Sequence, residues 1–506
     1  MERKKIHQAQ QAIVFSALLF TSIKVKSEPR DTTEIPSFSF YSQSTYSDQQ
    51  KLFLKPLNSD LSQNKKNIPK FNFIANDELG KDSVAKWTLH IQVSTVYQYH
   101  PAFEVPYSGA KSLSNSADNA LSITHTIFLG RKLWKNAAFY FNPELTGGNG
   151  FNGATGIAGF PNGEIYRVGN PTPTPFVARA FFQQIISLGN SEIENLSSDI
   201  NQLKGKKPTS RIVISIGKFC LADFFDANSY NHDARTQFLN WSLMAHGAWD
   251  FPADTRGYTE GGVIELIKPM WSIRASSVAV PNQANHLPME YSLNSSTRAH
   301  SETIEYERKW KLKNHPGTIR GTLFATFCRA PKYTDAINQM AKGDSILEKI
   351  ISSEVEGTTF TGKKYGYGIN IEQEIIAGVG IFSRWSWNDG HYATWAFTDI
   401  DRSLQLGFTI HGNYWKRAAD LFGIAGVVNG LSPDHIDYLK AGGIGVIVGD
   451  GKLNYGYEYI METFYRIQLA QSVQVSPDYQ LVVNPAYNKD RKGPVNIYGI
   501  RIHVGF

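Results

Sequence analysis

The chain has 506 residues, of which 42% are apolar and 19% charged, so it can bury a large core and does not have the composition of a disordered protein. Its formal charge of +6 is modest for this length and includes no dense lysine and arginine tract, which argues against a nucleic-acid partner. Aromatic residues make up 13% of the chain and there are 42 glycines, a composition that favours strands and tight turns over helices.

The N-terminus has the layout of an export signal. It begins MERKK and continues with an apolar stretch over 12–23, which is too short to cross a bilayer as a helix. We therefore expect a signal peptide over 1–27, the alternative being a short amphipathic helix of a soluble protein. The polar sequence that follows, over 28–86, predicts an irregular periplasmic N-terminal segment.

Strands are predicted from Trp87 onward. In WTLHIQVSTVYQ and again in SLQLGFTIHG, apolar and polar side chains alternate, as they do on the two faces of a strand. The stretch 455–469 keeps this alternation far beyond the roughly five or six residues of an ordinary strand. A tilted strand that crosses a membrane needs about ten residues and carries aromatic side chains at both interfaces, a position that Tyr455 and Tyr457 would suit.

Short helices are predicted inside the connections. LSPDHIDYLKAGG has Ser432 as a helix N-cap, Pro433 at the first helical position and Gly442 as a stop. The polar stretch over 335–357 also has a helical pattern.

The C-terminal sequence VNIYGIRIHVGF alternates most strictly. Tyr498 and the apolar residues that follow at every second position share one face, whereas Arg501 and His503 lie on the other. We expect the apolar face to meet lipid, Phe506 to lie at a membrane interface, and the two cationic residues to belong to a charge ladder near the closing seam of a barrel.

A strand-built membrane protein must close into a barrel, because the bilayer core offers no water to unpaired backbone groups. Residues 87–506 are about 420 residues, which at roughly 25 for each strand and connection gives about 16 strands, an even number as in bacterial barrels. The predicted fold is therefore all-β: a transmembrane antiparallel β-barrel of about 16 strands, with short helical loop inserts.

Sequence motifs for redox, metal or catalytic chemistry are missing. Cys220 and Cys328 have no zinc spacing and are expected to be isolated thiols, although they could pair with each other. Ser383 and His391 are not part of a nucleophile motif. We expect no cofactor, no metal site and no enzymatic activity.

Several blocks together resemble one protein family. YFNPELTGGNGFNGATGIAGFPNGEIYRVG, GKFCLADFFDANSYNHDARTQFLNWSLM, GIFSRWSWNDG and GLSPDHIDYLKAGGIGVIVGDGKLNYGYE are similar to the carbohydrate-selective outer-membrane porins of the OprB type. The resemblance extends from about Trp87 to Phe506. It implies a monomeric 16-stranded barrel in the outer membrane of a Gram-negative bacterium, passing sugars by passive diffusion.

A sugar that enters a narrow pore loses hydration, so the wall must replace its hydrogen bonds and offer aromatic faces. The blocks that carry the resemblance supply the candidates for such a constriction: Glu144, Glu164, Arg167, Arg179, Asp233, Arg235, Trp241 and Arg384. The simpler interpretation of such charges is a cross-strand ladder in which they satisfy one another.

If the chain is an outer-membrane porin, its expected partners are carbohydrate solutes, outer-membrane lipid and lipopolysaccharide, and the barrel assembly machinery. Alternative functions are a general diffusion porin, a polysaccharide export barrel and, least favoured, an outer-membrane barrel enzyme.

Overall fold

The computed structural model describes residues 85–164, 172–290, 299–360, 362–396, 398–491 and 493–506. The predicted signal peptide over 1–27 and the segment 28–86, except for its last two residues, lie outside the described residues. The described residues contain eighteen strands: β1 Trp87–His100, β2 Asp118–Lys132, β3 Ala137–Gly148, β4 Thr174–Ser187, β5 Ile193–Leu196, β6 Gly205–Pro208, β7 Arg211–Phe219, β8 Thr259–Lys268, β9 Trp271–Ala279, β10 His300–Leu312, β11 His315–Cys328, β12 Gly362–Ile376, β13 Val379–Asn388, β14 Arg402–His411, β15 Leu421–Gly430, β16 Glu458–Ala470, β17 Val473–Val483 and β18 Val495–Gly505.

Sixteen of these strands form one closed antiparallel barrel. Each strand pairs with its neighbour along the chain, β4 pairs with β7, and β1 pairs with β18 to close the ring. The remaining two strands, β5 and β6, form a separate hairpin. The predicted fold class and strand number are confirmed.

The last residue takes part in closing the barrel. Phe506 donates its backbone N–H to the carbonyl of Ile91 at 2.9 Å and accepts the N–H of Ile91 at 3.1 Å. In the same seam His503 lies opposite Ser94, and its Nδ1 is 2.8 Å from the Ser94 hydroxyl. The prediction that His503 lies near the closing seam is confirmed.

Side chains alternate between lipid and lumen as the sequence predicts. On β14, Leu406 is 65% exposed on the outer surface, whereas Gln405 is buried inside. The long strand predicted over 455–469 is shorter at its start, because β16 begins at Glu458. Tyr455 and Tyr457 both lie before it in the connection, with ring centroids 5.9 Å apart, and their place in an interfacial girdle stays a prediction.

The two ends of the barrel differ in the length of their connections. One end, to which both Trp87 and Gly505 belong, has short turns such as 269–270, 313–314 and 377–378. The other end has only long connections, among them 220–258, 329–361 and 431–457. Bacterial barrels place short turns in the periplasm and long loops outside, so the long connections face the cell exterior.

One connection at the periplasmic end is much longer than the other turns there. Residues 188–210, which include β5 and β6, fold back towards the lumen. The hydroxyls of Ser198 and Thr88 share a hydrogen bond of 2.8 Å, and Asn142 donates to Asn201 at 2.9 Å. This connection therefore covers part of the periplasmic mouth beside β1 and β3.

In the part of the chain that the structure describes, the outer connections contain four α-helices: α1 Trp241–Met244, α2 Tyr333–Met340, α3 Ile346–Ile351 and α4 Pro433–Lys440. The hydroxyl of Ser432 accepts the His435 N–H at 3.2 Å, which confirms the predicted N-cap of α4. The helical stretch predicted over 335–357 is divided into α2 and α3 at Gly343, whose φ of +79° is left-handed. Among the described residues, no helix has both the length and the apolar character needed to cross a bilayer.

Both cysteines are buried free thiols, so the expectation of isolated thiols is confirmed. Cys328 is the last residue of β11, and Cys220 directly follows β7. The barrel is therefore stabilised without a disulfide between them.

The side-chain alternation can be tested with spin labels. Labels at Leu406 and Leu89 should be accessible to oxygen dissolved in lipid, because both side chains are exposed on the outer surface. A label at Gln92, which lies on the inner face of β1, should instead be relaxed by a water-soluble nickel reagent. Uniform accessibility at the three sites would contradict the proposed barrel orientation.

Deleting Phe506 should reduce the amount of folded barrel, since the seam loses two backbone hydrogen bonds. The measurement is the fraction of heat-modifiable protein in outer-membrane preparations. Phe506→Leu is the matched control, because it keeps the backbone pairing and removes only the ring. An undiminished folded fraction in the deletion variant would refute this account of closure.

Candidate functional site

The connection between β7 and β8 enters the barrel and fills its middle. We call residues 220–258, all of which the structure describes, the lumen segment. Within it only Ser229, Asp233, Thr236 and Arg256 are partly exposed, and every other residue is buried. The segment is thus packed like a protein core although it lies inside a barrel.

Glutamates of the barrel wall accept hydrogen bonds from the backbone of the lumen segment. Glu305 on β10 accepts the N–H of Asp226 at 2.8 Å. Glu462 on β16 accepts the N–H groups of Leu239 at 2.5 Å and Asn240 at 2.8 Å. These carboxylate oxygens accept from peptide N–H groups that no strand ladder satisfies, so the contacts fix the path of the segment.

Two more wall glutamates act in the same way. Glu372 on β12 accepts the N–H of Ser229. Glu458 on β16 accepts the N–H groups of Ala158 at 2.9 Å and Gly159 at 2.8 Å, which belong to the connection between β3 and β4. Two outer connections are therefore tied to the wall by carboxylates.

Arginines of the wall hold the aspartates of the lumen segment. Arg179 on β4 donates to both oxygens of Asp223, each at 2.6 Å. Arg384 on β13 donates to Asp226 at 2.8 Å and to the carbonyl of Leu243 at 3.1 Å. Both guanidinium groups are buried and each is neutralised by a carboxylate, so their first role is to position the segment.

A third arginine, Arg235, lies in the lumen segment itself and contacts β1, β2 and the connection between β3 and β4. Its Nε donates to Glu164 at 2.8 Å, its Nη1 to Gln92 at 2.7 Å and its Nη2 to Thr126 at 2.8 Å. The Glu144 carboxylate lies 3.5 Å from Nη2 and accepts the Thr126 hydroxyl at 2.6 Å. These five residues form what we call the septum cluster.

The septum cluster has a polar surface on its outer side. Tyr258 has its hydroxyl 3.5 Å from Glu144, and the Arg256 guanidinium is 3.4 Å from the hydroxyl of Thr146, close to the outer end of β3. Arg256 is only partly buried, and its guanidinium lies 4.0 Å from the centre of the Phe176 ring. A partly exposed cation and an aromatic ring thus lie together near the outer end of the barrel.

A second polar surface lies on the inner side. Asp233 accepts the N–H of Arg235 at 2.9 Å and the hydroxyl of Thr236 at 2.7 Å, and it remains partly exposed. Arg466, near the periplasmic end of β16, donates to the carbonyl of Thr236 at 3.3 Å. The septum cluster therefore separates two partly open polar surfaces.

The structure brings together half of the site residues suggested by the sequence, namely Glu144, Glu164, Asp233 and Arg235. Arg179 and Arg384 lie on other parts of the wall, each with its own aspartate. Trp241 is 1% exposed and stacks on Phe160, with centroids 5.4 Å apart. Arg167 lies outside the described residues.

Sequence reasoning missed the carboxylates that hold the lumen segment. The alternation over 455–469 places Glu458 and Glu462 on the polar face of a strand but indicates no role for them. Glu305 lies at an inward position of the alternating stretch SETIEYERK. The alternation of this strand therefore also predicts that the Glu305 side chain points into the lumen. The position of the Asp226 side chain could not be predicted in this way, because Asp226 lies in a connection, where side chains do not alternate.

Two buried histidines of the lumen segment have shifted pKa values. Burial, together with the Arg384 guanidinium, lowers the pKa of His232 to about 4. Burial also lowers the pKa of His246 to about 4, although its Nε2 is 3.3 Å from the Asp226 carboxylate, which favours the charged form. The inner wall leaves room for the imidazole of His246 at Gly368, where a Cβ atom would approach it to 2.4 Å.

These shifts predict that acid loosens the lumen segment. A detached segment would protonate its histidines near the ordinary pKa of 6.5, so attachment is fully stabilised above pH 6.5 and weakens as pH falls towards about 4. The loss for each histidine is at most about 3 kcal/mol. Hydrogen exchange over 226–246, corrected for intrinsic rates, should therefore show more opening at pH 5 than at pH 7.

His246→Gln should reduce this pH dependence, whereas His391→Gln, at an exposed site in an outer connection, is the matched control and should not. Equal opening of the wild-type segment at both pH values would contradict the assignment.

Comparison with known proteins gives the same fold. The family model described as carbohydrate-selective porin, OprB family, matches residues 113–506. Porin AaxA of Chlamydia abortus is 25% identical over 136 residues, which are 27% of this chain and 26% of that protein. Porin AaxA of Chlamydia pneumoniae is 27% identical over 139 residues, 28% of each chain. The chain thus spans about a quarter of the length of these curated relatives.

Among solved structures, OprB of Pseudomonas putida at high pH superposes with a TM-score of 0.59 and 13% identity, covering 83% of this chain and 94% of that one. This likeness shows the shared barrel fold. The family match covers most of the chain and includes both the lumen segment and the septum cluster, apart from Gln92. The protein is therefore a bacterial outer-membrane β-barrel that belongs to the carbohydrate-selective porin family of the OprB type.

Proposed function

We propose that carbohydrates diffuse passively through this barrel and that the septum cluster forms the narrowest part of their path. The observation that carries the proposal is the position of the cluster between two partly exposed polar surfaces, one reached from each end of the barrel. Arg256 with Phe176 marks the outer surface, and Asp233 with Thr236 marks the inner one.

The chemistry of these surfaces suits a neutral sugar. A sugar hydroxyl both donates and accepts, and Arg256 supplies donors on the outer surface while Asp233 supplies acceptors on the inner one. The Phe176 ring offers a flat apolar face to the apolar side of a sugar ring. Each interaction is already partly met by a neighbour in the protein, which keeps solute binding weak enough for release.

A selective channel is favoured over a general diffusion porin by the packing of the lumen. A wide aqueous pore would leave the inner wall exposed, whereas Arg179, Arg384 and Glu462 are buried beneath the lumen segment. Family and fold are those of a channel rather than an enzyme. Polysaccharide export has no specific feature of this lumen in its favour.

Further assignments remain predictions. Arg167, Arg179, Trp241 and Arg384 are retained as residues that shape the constriction, the last three by positioning the lumen segment. Contact with lipopolysaccharide, insertion by the barrel assembly machinery and a monomeric state follow from the resemblance to the family. The division into signal peptide 1–27, N-terminal segment 28–86 and barrel 87–506 follows from the charge, polar and alternating patterns of the sequence.

Arg235→Gln should weaken the block of ion current by sugars and raise the conductance, because the septum cluster loses its only cation and its tightest contacts to the wall. A hydrogen bond to a charged group is worth roughly 1.5–3 kcal/mol, which is about tenfold or more in sugar affinity. The measurement is single-channel recording with glucose and a maltose series.

Arg235→Lys keeps the charge and should retain part of the block. Arg417→Gln, in a periplasmic turn, is the control and should behave as wild type. A wild-type current that no sugar reduces would make a general diffusion porin the better description. A sugar block that is unchanged in Arg235→Gln would place the constriction elsewhere.

A further inference from the structure

The lipid-facing surface of β8, β9 and β10 carries two cations at its periplasmic end. Lys268 on β8 pairs across the ladder with Trp271 on β9, and Trp271 pairs in turn with Arg308 on β10. Directly paired residues share one face of a sheet. That face points outward, because Ile273, two residues beyond Trp271, is exposed on the outer surface. We call Lys268, Trp271 and Arg308 the basic row.

The two cations of the basic row have no counter-charge from the protein. Arg308 is exposed and Lys268 is partly exposed. Within the described chain neither side chain has a carboxylate partner, whereas the neighbouring Lys309 is paired with Glu307 at 3.4 Å. The row therefore presents uncompensated positive charge where these strands leave the bilayer.

Aromatic side chains place the basic row at the level of the lipid headgroups. The ring of Trp271 lies 6.5 Å from that of Tyr306, one step further into the membrane on β10. The indole of Trp310 donates to Gln373 at 2.7 Å, across Gly317, where a Cβ atom would lie 2.5 Å from the indole nitrogen. Tryptophan and tyrosine prefer the membrane interface, so the two cations lie beside the phosphate layer rather than in the hydrocarbon.

Cations at this height are confined to a small part of the circumference. Among the outward positions near the periplasmic ends of the described barrel strands, the only other lysine or arginine is Arg131 on β2, whose guanidinium lies 4.8 Å from the centre of the Trp87 ring. Strands β13 to β18 have only apolar side chains there. The charge of the basic row is thus a local feature and not part of a uniform girdle.

The surroundings of the basic row match the two parts of a phospholipid. Towards the membrane centre, Ile304 on β10 pairs with Leu323 on β11, which is 62% exposed, and the two offer an apolar surface to acyl chains. Towards the periplasm, Lys311 and Lys313 are exposed in and beside the adjoining turn and add positive charge. Basic residues next to a membrane span attract anionic lipids.

We propose that the basic row binds an anionic phospholipid of the periplasmic leaflet, with the phosphate between Lys268 and Arg308. Their strands are two apart, which is roughly 10 Å, and both long side chains can reach a phosphate above Trp271. Arginine contacts phosphate oxygens through paired donors, and lysine adds a point charge. This inference goes beyond the proposed function, because solute passage through the lumen does not require it.

The test is native mass spectrometry of the folded protein in a neutral detergent. Phosphatidylglycerol and phosphatidylcholine with the same acyl chains are added as probes, together with glycerol phosphate and lipid A. The variants are Arg308→Gln, Lys268→Gln and the double variant, with Arg308→Lys to keep the charge. Arg402→Gln is the matched control, because Arg402 is exposed on the outward face of β14 at the opposite end of the barrel. Heat modifiability confirms that each variant is folded.

We expect the wild-type protein to bind phosphatidylglycerol more tightly than phosphatidylcholine. Each single glutamine substitution should weaken phosphatidylglycerol binding about fivefold, and the two effects should add in the double variant. Binding of phosphatidylcholine should not change. Arg308→Lys should retain most of the preference, and Arg402→Gln should bind both lipids as the wild type does.

Four results would overturn the inference. Equal binding of the two phospholipids by the wild type, or undiminished phosphatidylglycerol binding in the double variant, would remove the site. An equal loss in Arg402→Gln would show that any outward cation attracts the lipid. Glycerol phosphate that binds as tightly as phosphatidylglycerol would make the ligand a free phosphate. Tighter binding of lipid A, lost in the double variant, would place the row in the outer leaflet.

Discussion

An irregular segment packed inside a transmembrane barrel must find hydrogen-bond partners for its peptide groups, because it belongs to no strand ladder and is buried from water. In this protein the wall supplies them. Carboxylates of Glu305, Glu372 and Glu462 accept backbone N–H groups, and the side-chain amides of Asn388 and Gln405 donate to carbonyls of the lumen segment. The lumen segment is thereby part of the folded barrel rather than a loop resting in it.

The same requirement explains the number of buried charges. A carboxylate placed inside a packed lumen is costly unless a cation or several donors compensate it. Arg179 with Asp223, and Arg384 with Asp226, meet this condition with direct ion pairs. Removing one member of such a pair costs roughly 3–5 kcal/mol, so its replacement disturbs the fold before it reports on the solute. Groups that touch solute are better sought among the partly exposed residues.

The barrel could be predicted from sequence because alternation is local. Each strand, such as the one containing Leu406 and Gln405, shows its lipid and lumen faces within a few residues, and the same holds for Glu462 on β16. The septum cluster could be predicted only in part. Arg235 lies in a connection without periodicity, and its contact with Gln92 joins residues far apart in the chain, which only the closed barrel brings together.

The width and the chemistry of the passage are thus set by different elements. Sixteen strands alone would enclose an aqueous channel, and it is the lumen segment that narrows it. The barrel of Pseudomonas putida OprB has the same fold at 13% identity, which is consistent with a wall that needs alternation more than particular residues. The lumen segment, in contrast, depends on specific side chains such as Asp226 and Arg235. In this barrel the proposed solute preference should therefore depend on residues 220–258 and on the inward groups they contact, not on the lipid-facing half of each strand.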